Sequence, residues 1–89
     1  IEMPQISYFF GIVIFMYYSE HNPPHIHAVY SGYKASFDVR SGCRVTGQMS
    51  KTAERLIKRW IKLRKSALLN NWELARKRVT PLPAVEPLE

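Results

Sequence analysis

The chain has 89 residues and a net charge of +6, and 46 % of its residues are hydrophobic. This length fits one small domain, and the hydrophobic content argues against a disordered protein. Cys43 is the single cysteine, which excludes an internal disulfide, and the longest apolar run, residues 8–18, is too short for a membrane-spanning helix, which needs about 20 residues. We therefore expect a cytoplasmic protein whose single domain covers residues 3–88. Residues 1–2 are expected to be additions to the natural chain, and residue 89 is a further candidate for such an addition.

The first half of the sequence is typical of β-strands. A short apolar run at residues 5–10 is interrupted by Gly11, and residues 12–18 are apolar at every position, as in a central strand buried on both faces. After a loop at residues 19–24, two further strand-like segments flank Ser31-Gly32, which is a two-residue hairpin signal.

This hairpin fixes a register for the two strands that it joins. Apolar residues then lie opposite one another on a core face, in the pairs Tyr30–Tyr33, Ala28–Ala35 and Ile26–Phe37. On the other face, His25 lies opposite Asp38, His27 opposite Ser36 and Val29 opposite Lys34. A second turn at residues 41–43 predicts Arg40 opposite Arg44 on the polar side, and Val39 opposite Val45 on the core side.

The second half of the sequence predicts two helices. Ser50 is a candidate cap for the first helix, whose apolar arc comprises Ala53, Leu56, Ile57, Trp60, Ile61 and Leu63. A break near residues 64–66 keeps the hydrophobic pattern consistent, with Ser66 capping a second helix that runs to about Arg78 and buries Leu68, Trp72 and Ala75. The prolines at 81, 83 and 87 predict an extended tail. The fold expected is α+β, an antiparallel sheet of four or five strands followed by two C-terminal helices packed on one face.

Three histidines within residues 21–27 surround Pro23-Pro24 and allow three interpretations. In a structural interpretation, the prolines form a rigid turn and the imidazoles bond to loop carbonyls. In a catalytic interpretation, Asp38 orients His25 as a general base and His27 acts as the acid. Arg40 or Arg44 then stabilises charge on a phosphorane, which makes metal-free RNA cleavage the natural chemistry, with Ser36 as a second candidate nucleophile.

In a metal-binding interpretation, His25 and His27 project to the same side of a strand and share one ion, with His21 or Asp38 completing the set. The pattern has low specificity, and the chain has neither a second cysteine nor a Glu-rich partner motif. We expect no bound metal and no other cofactor. Cys43 is interpreted as an ordinary turn residue, although Arg44 beside it is able to lower a thiol pKa.

The positive charge is concentrated in one segment. Residues 1–49 are neutral, residues 50–78 carry a net charge of +8, and residues 79–89 carry −2. On the first helix, cations fall on the face opposite the apolar arc, with Glu54 as the nearby acid: Lys51, Arg55, Lys58, Arg59, Lys62 and Lys65. Such a self-repelling stripe costs helix stability and favours an anionic partner, either nucleic acid or an acidic protein, and not a membrane.

Three motifs carry a family resemblance that extends from Met3 to Leu88. They are His-Asn-Pro-Pro-His-x-His at 21–27, Tyr-Lys-Ala at 33–35 and Asn-Trp-Glu-Leu at 71–74. With them the sequence resembles the small bacterial family called domain of unknown function 4160. Its members are commonly encoded beside a second small family, and the pairs are regarded as toxin–antitoxin modules with this family as the toxin. The resemblance implies a growth inhibitor held silent by a cognate antitoxin protein.

Two functions are consistent with these patterns. The first is a toxin that targets RNA, as a metal-free ribonuclease or another growth inhibitor, through its histidine face. The second is a non-enzymatic module that binds nucleic acid or protein and whose histidine loop is structural. An enzyme requires the face with His25 and Asp38 to be open, whereas a binding protein requires only the basic helix, with Arg44 beside it.

Overall fold

The computed structural model describes residues 4–18 and 21–88. Five strands form one antiparallel sheet in chain order: β1 Gln5–Phe9, β2 Ile12–Phe15, β3 His25–Tyr30, β4 Tyr33–Asp38 and β5 Arg44–Gly47. Two helices follow, α1 Lys51–Leu63 and α2 Lys65–Arg76. The α+β fold expected from the sequence is confirmed.

The β3–β4 hairpin has the predicted register. All six pairs occur, including His25 with Asp38, His27 with Ser36 and Ile26 with Phe37. Ser31 and Gly32 both have positive φ, as a two-residue turn compatible with strand twist requires. The hairpin therefore places both histidines on one face and apolar side chains on the other.

The predicted pairing of the next two strands is wrong. Arg44 pairs with Phe37 and not with Arg40. A bulge in this pairing leaves Val45 60 % exposed, so Val45 does not lie opposite Val39 on the core side. The cause lies at Asp38, whose Oδ1 accepts the backbone N–H groups of Arg40 and Ser41 and ends β4 there. A carboxylate that bonds to the backbone two and three residues ahead replaces strand pairing with a turn.

The helices pack on the face of the sheet that carries Ile26 and Phe37. The Phe9 and Trp60 rings lie 5.2 Å apart, and both side chains are buried in one core cluster that the sheet, the helices and the tail share. Ser50 caps α1 as predicted, because its Oγ accepts the N–H of Ala53. Leu63 is 59 % exposed, so its assignment to the apolar arc is wrong.

The predicted break between the helices is confirmed, but its predicted cap is wrong. Arg64 separates α1 from α2, and no side chain caps α2. Ser66 lies inside α2 because that helix begins immediately after Arg64, whose own N–H still bonds to the Trp60 carbonyl. The helix ends at Arg76, two residues before the predicted end, and buries Leu68, Trp72 and Ala75 as expected.

The tail, residues 82–88, forms neither helix nor strand and is bound through its backbone. The Trp60 indole and the Arg64 guanidinium donate to the Glu86 carbonyl, Arg64 also donates to the Pro87 carbonyl, and the Asn71 amide donates to the Pro83 carbonyl. The Val85 N–H donates to the Ile6 carbonyl of β1. Across residues 4–18 and 21–88, no helix is long and apolar enough to cross a membrane.

Candidate functional site

The histidine cluster is built on the turn that precedes β3. The Nδ1 of His25 lies 2.8 Å from the Pro23 carbonyl oxygen. A carbonyl only accepts hydrogen bonds, so Nδ1 carries the proton and the ring is held by its own turn. His21 is exposed at the start of this turn, whereas His25 and His27 are half-buried.

Four rings form a continuous cluster from the sheet to α2. Tyr17 stacks on His27 at 4.1 Å between centroids, the rings of His27 and His25 meet edge to face at 5.1 Å, and the Trp72 ring lies 5.1 Å from His25. The Trp72 indole donates to the Asn22 side-chain oxygen at 3.2 Å. The rings thus link the turn to the second helix, and the bond of His25 to the Pro23 carbonyl is of the kind that the structural interpretation describes.

Asp38 lies opposite His25 in register, but its recorded hydrogen bonds serve the turn that follows it. The carboxylate oxygen accepts from Arg40 and Ser41 at 2.7 and 2.9 Å. The predicted second nucleophile, Ser36, is buried and shares a 2.6 Å hydrogen bond with the Thr46 hydroxyl. The predicted cross-strand position of Asp38 is thus confirmed, and its carboxylate also caps the turn after β4, while Ser36 belongs to a cross-strand hydroxyl pair.

The two arginines assigned to the histidine face lie against α1. Arg40 lines a groove with lysines of α1. Arg44 donates from Nε to Glu54 at 3.1 Å and from Nη1 to the Gly47 carbonyl at 2.6 Å. Within the part of the chain that the structure describes, no three His, Cys, Asp or Glu side chains are grouped to hold a metal ion.

We call the depression between α1 and the turn after β4 the basic groove. Its volume is about 370 Å³, and its lining contains four cations and no carboxylate: Val39, Arg40, Ser41, Gly42, Lys58, Ile61, Lys62 and Lys65. The lysines at 58, 62 and 65 come from the predicted stripe, while Arg40 comes from the turn that Asp38 caps. Sequence periodicity found the helical half of this site but not the half supplied by the turn.

A second depression continues the positive surface toward the start of α1. It is lined by Arg44, Met49, Lys51, Glu54, Arg55 and Lys58 and has a volume of about 550 Å³. Glu54 binds Arg44 and also Lys58, at 3.1 and 3.4 Å. Every cation of the predicted stripe, Arg59 included, is solvent-exposed. Glu54 therefore pairs with one cation of the basic groove, Lys58, and the other three groove cations, Arg40, Lys62 and Lys65, keep the groove positive.

Comparison with family models matches residues 11–73 to the domain of unknown function DUF4160. The chain belongs to this family. The match includes residues 21–27, which we call the histidine turn, the β3–β4 hairpin and α1, and it ends within α2. Comparisons with curated proteins and with solved structures find no match.

Proposed function

We propose that this chain is the growth-inhibiting component of a toxin–antitoxin module in the cytoplasm and that it binds RNA through the basic groove. The carrying observation is the convergence of Arg40, Lys58, Lys62 and Lys65 on one groove without a lining carboxylate. Cations placed on a concave surface attract a phosphate backbone and release its counterions on binding. The family resemblance described above supports the toxin role.

The same surface accounts for silencing by a protein. An antitoxin that presents carboxylates to the groove competes with phosphates for the same guanidinium and ammonium groups. A membrane is a poorer ligand, because the apolar side of α1 is committed to the core through Ile57 and Trp60.

A ribonuclease is the second candidate function, and one observation favours it. His25 and His27 lie side by side with ring centroids 5.1 Å apart, close enough for one imidazole to remove a proton while the other donates one. Against this stands the use of both rings in packing, His27 under Tyr17 and His25 beside Trp72. The binding function needs no chemistry from either ring.

The decisive experiment changes the charge of the groove alone. Arg40, Lys58 and Lys62 are replaced together by Ser, and affinity for a short single-stranded oligouridine is measured at several salt concentrations. We expect weaker binding and a salt dependence lower by about two units, since each lost phosphate contact on a single strand removes about 0.7. Growth on induction without the antitoxin should recover in parallel.

A control variant removes two exposed charges from the end of α2, with Arg76 and Lys77 replaced by Ser, and it is compared with a groove variant that also removes two, Arg40 and Lys62 replaced by Ser. It should bind RNA nearly as wild type does and remain growth-inhibiting, because these residues lie outside the groove. Equal losses in the two variants would show that only net charge matters and would contradict a groove site. Cleavage of total RNA after induction would favour the ribonuclease instead, provided that His25→Ala abolishes the cleavage and the groove variant does not.

A further inference from the structure

The face of the sheet opposite the helices carries two rows of side chains. Directly opposed residues of antiparallel strands share a face, so the register gives a first row of Tyr8, Val13, Val29 and Lys34. A second row runs alongside it and consists of Gln5, Phe15, His27, Ser36 and Thr46. We call this surface the open face.

The open face retains access to solvent in the described structure. Tyr8 is 58 % exposed, and Val13, Phe15 and Val29 are half-buried, whereas their neighbours Ile12, Ile14 and Ala28 on the helix side are fully buried: all three are 0 % exposed. Alternation of this kind means that one face has packed against the helices and the other has not. Tyr8, Phe15 and the valines of this face are thereby left partly open to solvent, whereas Ser36 is 6 % exposed and His27 lies under Tyr17.

We propose that the open face, which lies on the side of the sheet away from α1 and its basic groove, stacks the bases of single-stranded RNA. This inference rests on the proposed function for the identity of the ligand and adds a second contact surface to it. Tyr8, Phe15 and Tyr17 supply flat rings at the level of the sheet surface. Aromatic side chains on the strands of an antiparallel sheet bind two or three bases in this way in other RNA-binding domains.

The charged residue within the two rows of the open face is a cation. Lys34 is exposed at one end of the first row. Asp38 lies beyond the second row, opposite His25, and its Oδ1 is engaged by two backbone N–H groups of the turn. A polyanion therefore meets one lysine and the exposed rings on this surface, and the adjacent carboxylate is already hydrogen-bonded.

The polar members of the face favour RNA over a second copy of the chain. Gln5, Lys34 and Thr46 are exposed and lie in the same rows as the rings. The core of a protein–protein interface is depleted of lysine, and self-association across a two-fold axis would bury these polar groups. Bases tolerate such surroundings because they bring their own donors and acceptors.

The geometry of Tyr17 shows that stacking is compatible with this surface. Its ring lies on the His27 imidazole with an interplanar angle of 16° and a centroid distance of 4.1 Å. A heteroaromatic ring is thus already held parallel to a tyrosine at base-stacking distance. A pyrimidine on Tyr8 or Phe15 would repeat this arrangement along the sheet.

The test uses two tyrosines of similar exposure on opposite faces. Tyr8→Ala removes a ring from the open face, and Tyr33→Ala removes one that is 43 % exposed on the helix side. Affinity for single-stranded oligouridine should fall about tenfold in Tyr8→Ala and stay near wild type in Tyr33→Ala. Affinity for an RNA duplex should respond equally weakly to both, since paired bases cannot stack on a side chain.

Cross-linking with 4-thiouridine-labelled oligouridine locates the bases independently of affinity. Adducts should map to Tyr8, Phe15 or Tyr17 and not to Tyr33. If the triple groove variant loses affinity while Tyr8→Ala keeps it and adducts map elsewhere, the open face is not an RNA surface, although the groove function stands. If the wild-type protein binds no oligouridine, both proposals are overturned.

Discussion

The polar side chains of the histidine turn make contacts inside the molecule, whereas those of the basic groove are exposed to solvent. The imidazoles of His25 and His27 contact Pro23, Tyr17 and Trp72 within the molecule. The cations of the groove are exposed to solvent, and one of them, Lys58, forms an ion pair with Glu54. The most distinctive motif of the sequence thus makes these contacts inside the molecule, while the lysines of the groove are exposed on its surface.

The difference shows why residue type alone does not identify a functional site. A histidine is useful for catalysis only when a ring nitrogen can reach a substrate, and a ring fixed by a carbonyl and packed between aromatics is constrained in that respect. A lysine binds phosphate without any such preparation, because it needs only exposure and like-charged neighbours. The following experiments test this contrast, beginning with the largest effect.

Trp72→Ala should have the greatest effect on the histidine turn. The side chain is 2 % exposed, contacts the His25 ring and donates to Asn22, so its loss should lower the free energy of unfolding by about 3–5 kcal/mol. Urea denaturation followed by circular dichroism measures this change. Leu63→Ala, at an exposed position of α1, should change stability by less than about 0.5 kcal/mol. A Trp72 variant as stable as the Leu63 variant would show that the turn does not depend on α2.

Lys62→Glu should have the greatest effect on the groove without affecting the fold. Reversing one charge among the four cations should weaken oligouridine binding on the order of tenfold near physiological salt, while the urea midpoint stays unchanged. Lys77→Glu makes the same reversal on an exposed residue outside the groove and is the control. Loss of affinity in both variants would mean that long-range charge, and not the groove, governs binding.

His25→Ala should have a smaller effect, on stability only. Loss of the bond to Pro23 and of contacts with Trp72 should lower the unfolding free energy by about 1–2 kcal/mol. Growth inhibition on induction should persist at a temperature where the variant is folded. His21→Ala, at an exposed position, should be neutral in both assays. Complete loss of toxicity from a folded His25 variant would reverse the roles assigned to the two regions.

Cys43→Ser should have the smallest effect. The residue is an exposed free cysteine next to Gly42 of the groove, and the backbone N–H of Cys43, not its thiol, bonds to Ser41. Unfolding free energy and oligouridine affinity should both remain within experimental error of wild type. Loss of affinity in this variant, or on treatment of wild type with a thiol-alkylating reagent, would extend the functional surface to the second turn.

The sequence was most informative where one turn fixed a whole register. Ser31-Gly32 allowed one pairing that kept apolar residues together, and all six pairs of β3 and β4 follow from it. The capping of α1 by Ser50 and the break at Arg64 were also readable, since both follow from side-chain type and helical spacing.

The errors arose where a polar side chain competed for the backbone. Asp38 lies opposite His25 as predicted, but its carboxylate also accepts two N–H groups nearby in sequence, so the chain turns before it reaches the predicted pairing of Arg40 with Arg44. That turn also brings Arg40 to the α1 lysines, a contact between distant segments that no local pattern encodes. The stacking of Tyr17 on His27 is not predicted by the sequence either, because it depends on the path that the chain takes beside β3 after β2 ends at Phe15.

The tail also has a consequence for how sequence can change in this protein. Trp60, Arg64 and Asn71 bind the tail through its carbonyl oxygens, which every amino acid possesses. Side-chain identity matters chiefly at the buried Leu82 and Val85, three residues apart. The helices and β1 thus bind the tail through its backbone groups and through the spacing of its two buried side chains. A peptide of unrelated composition with two apolar residues at that interval would satisfy the same donors, so this segment is open to rapid divergence, or to replacement by a strand from another chain.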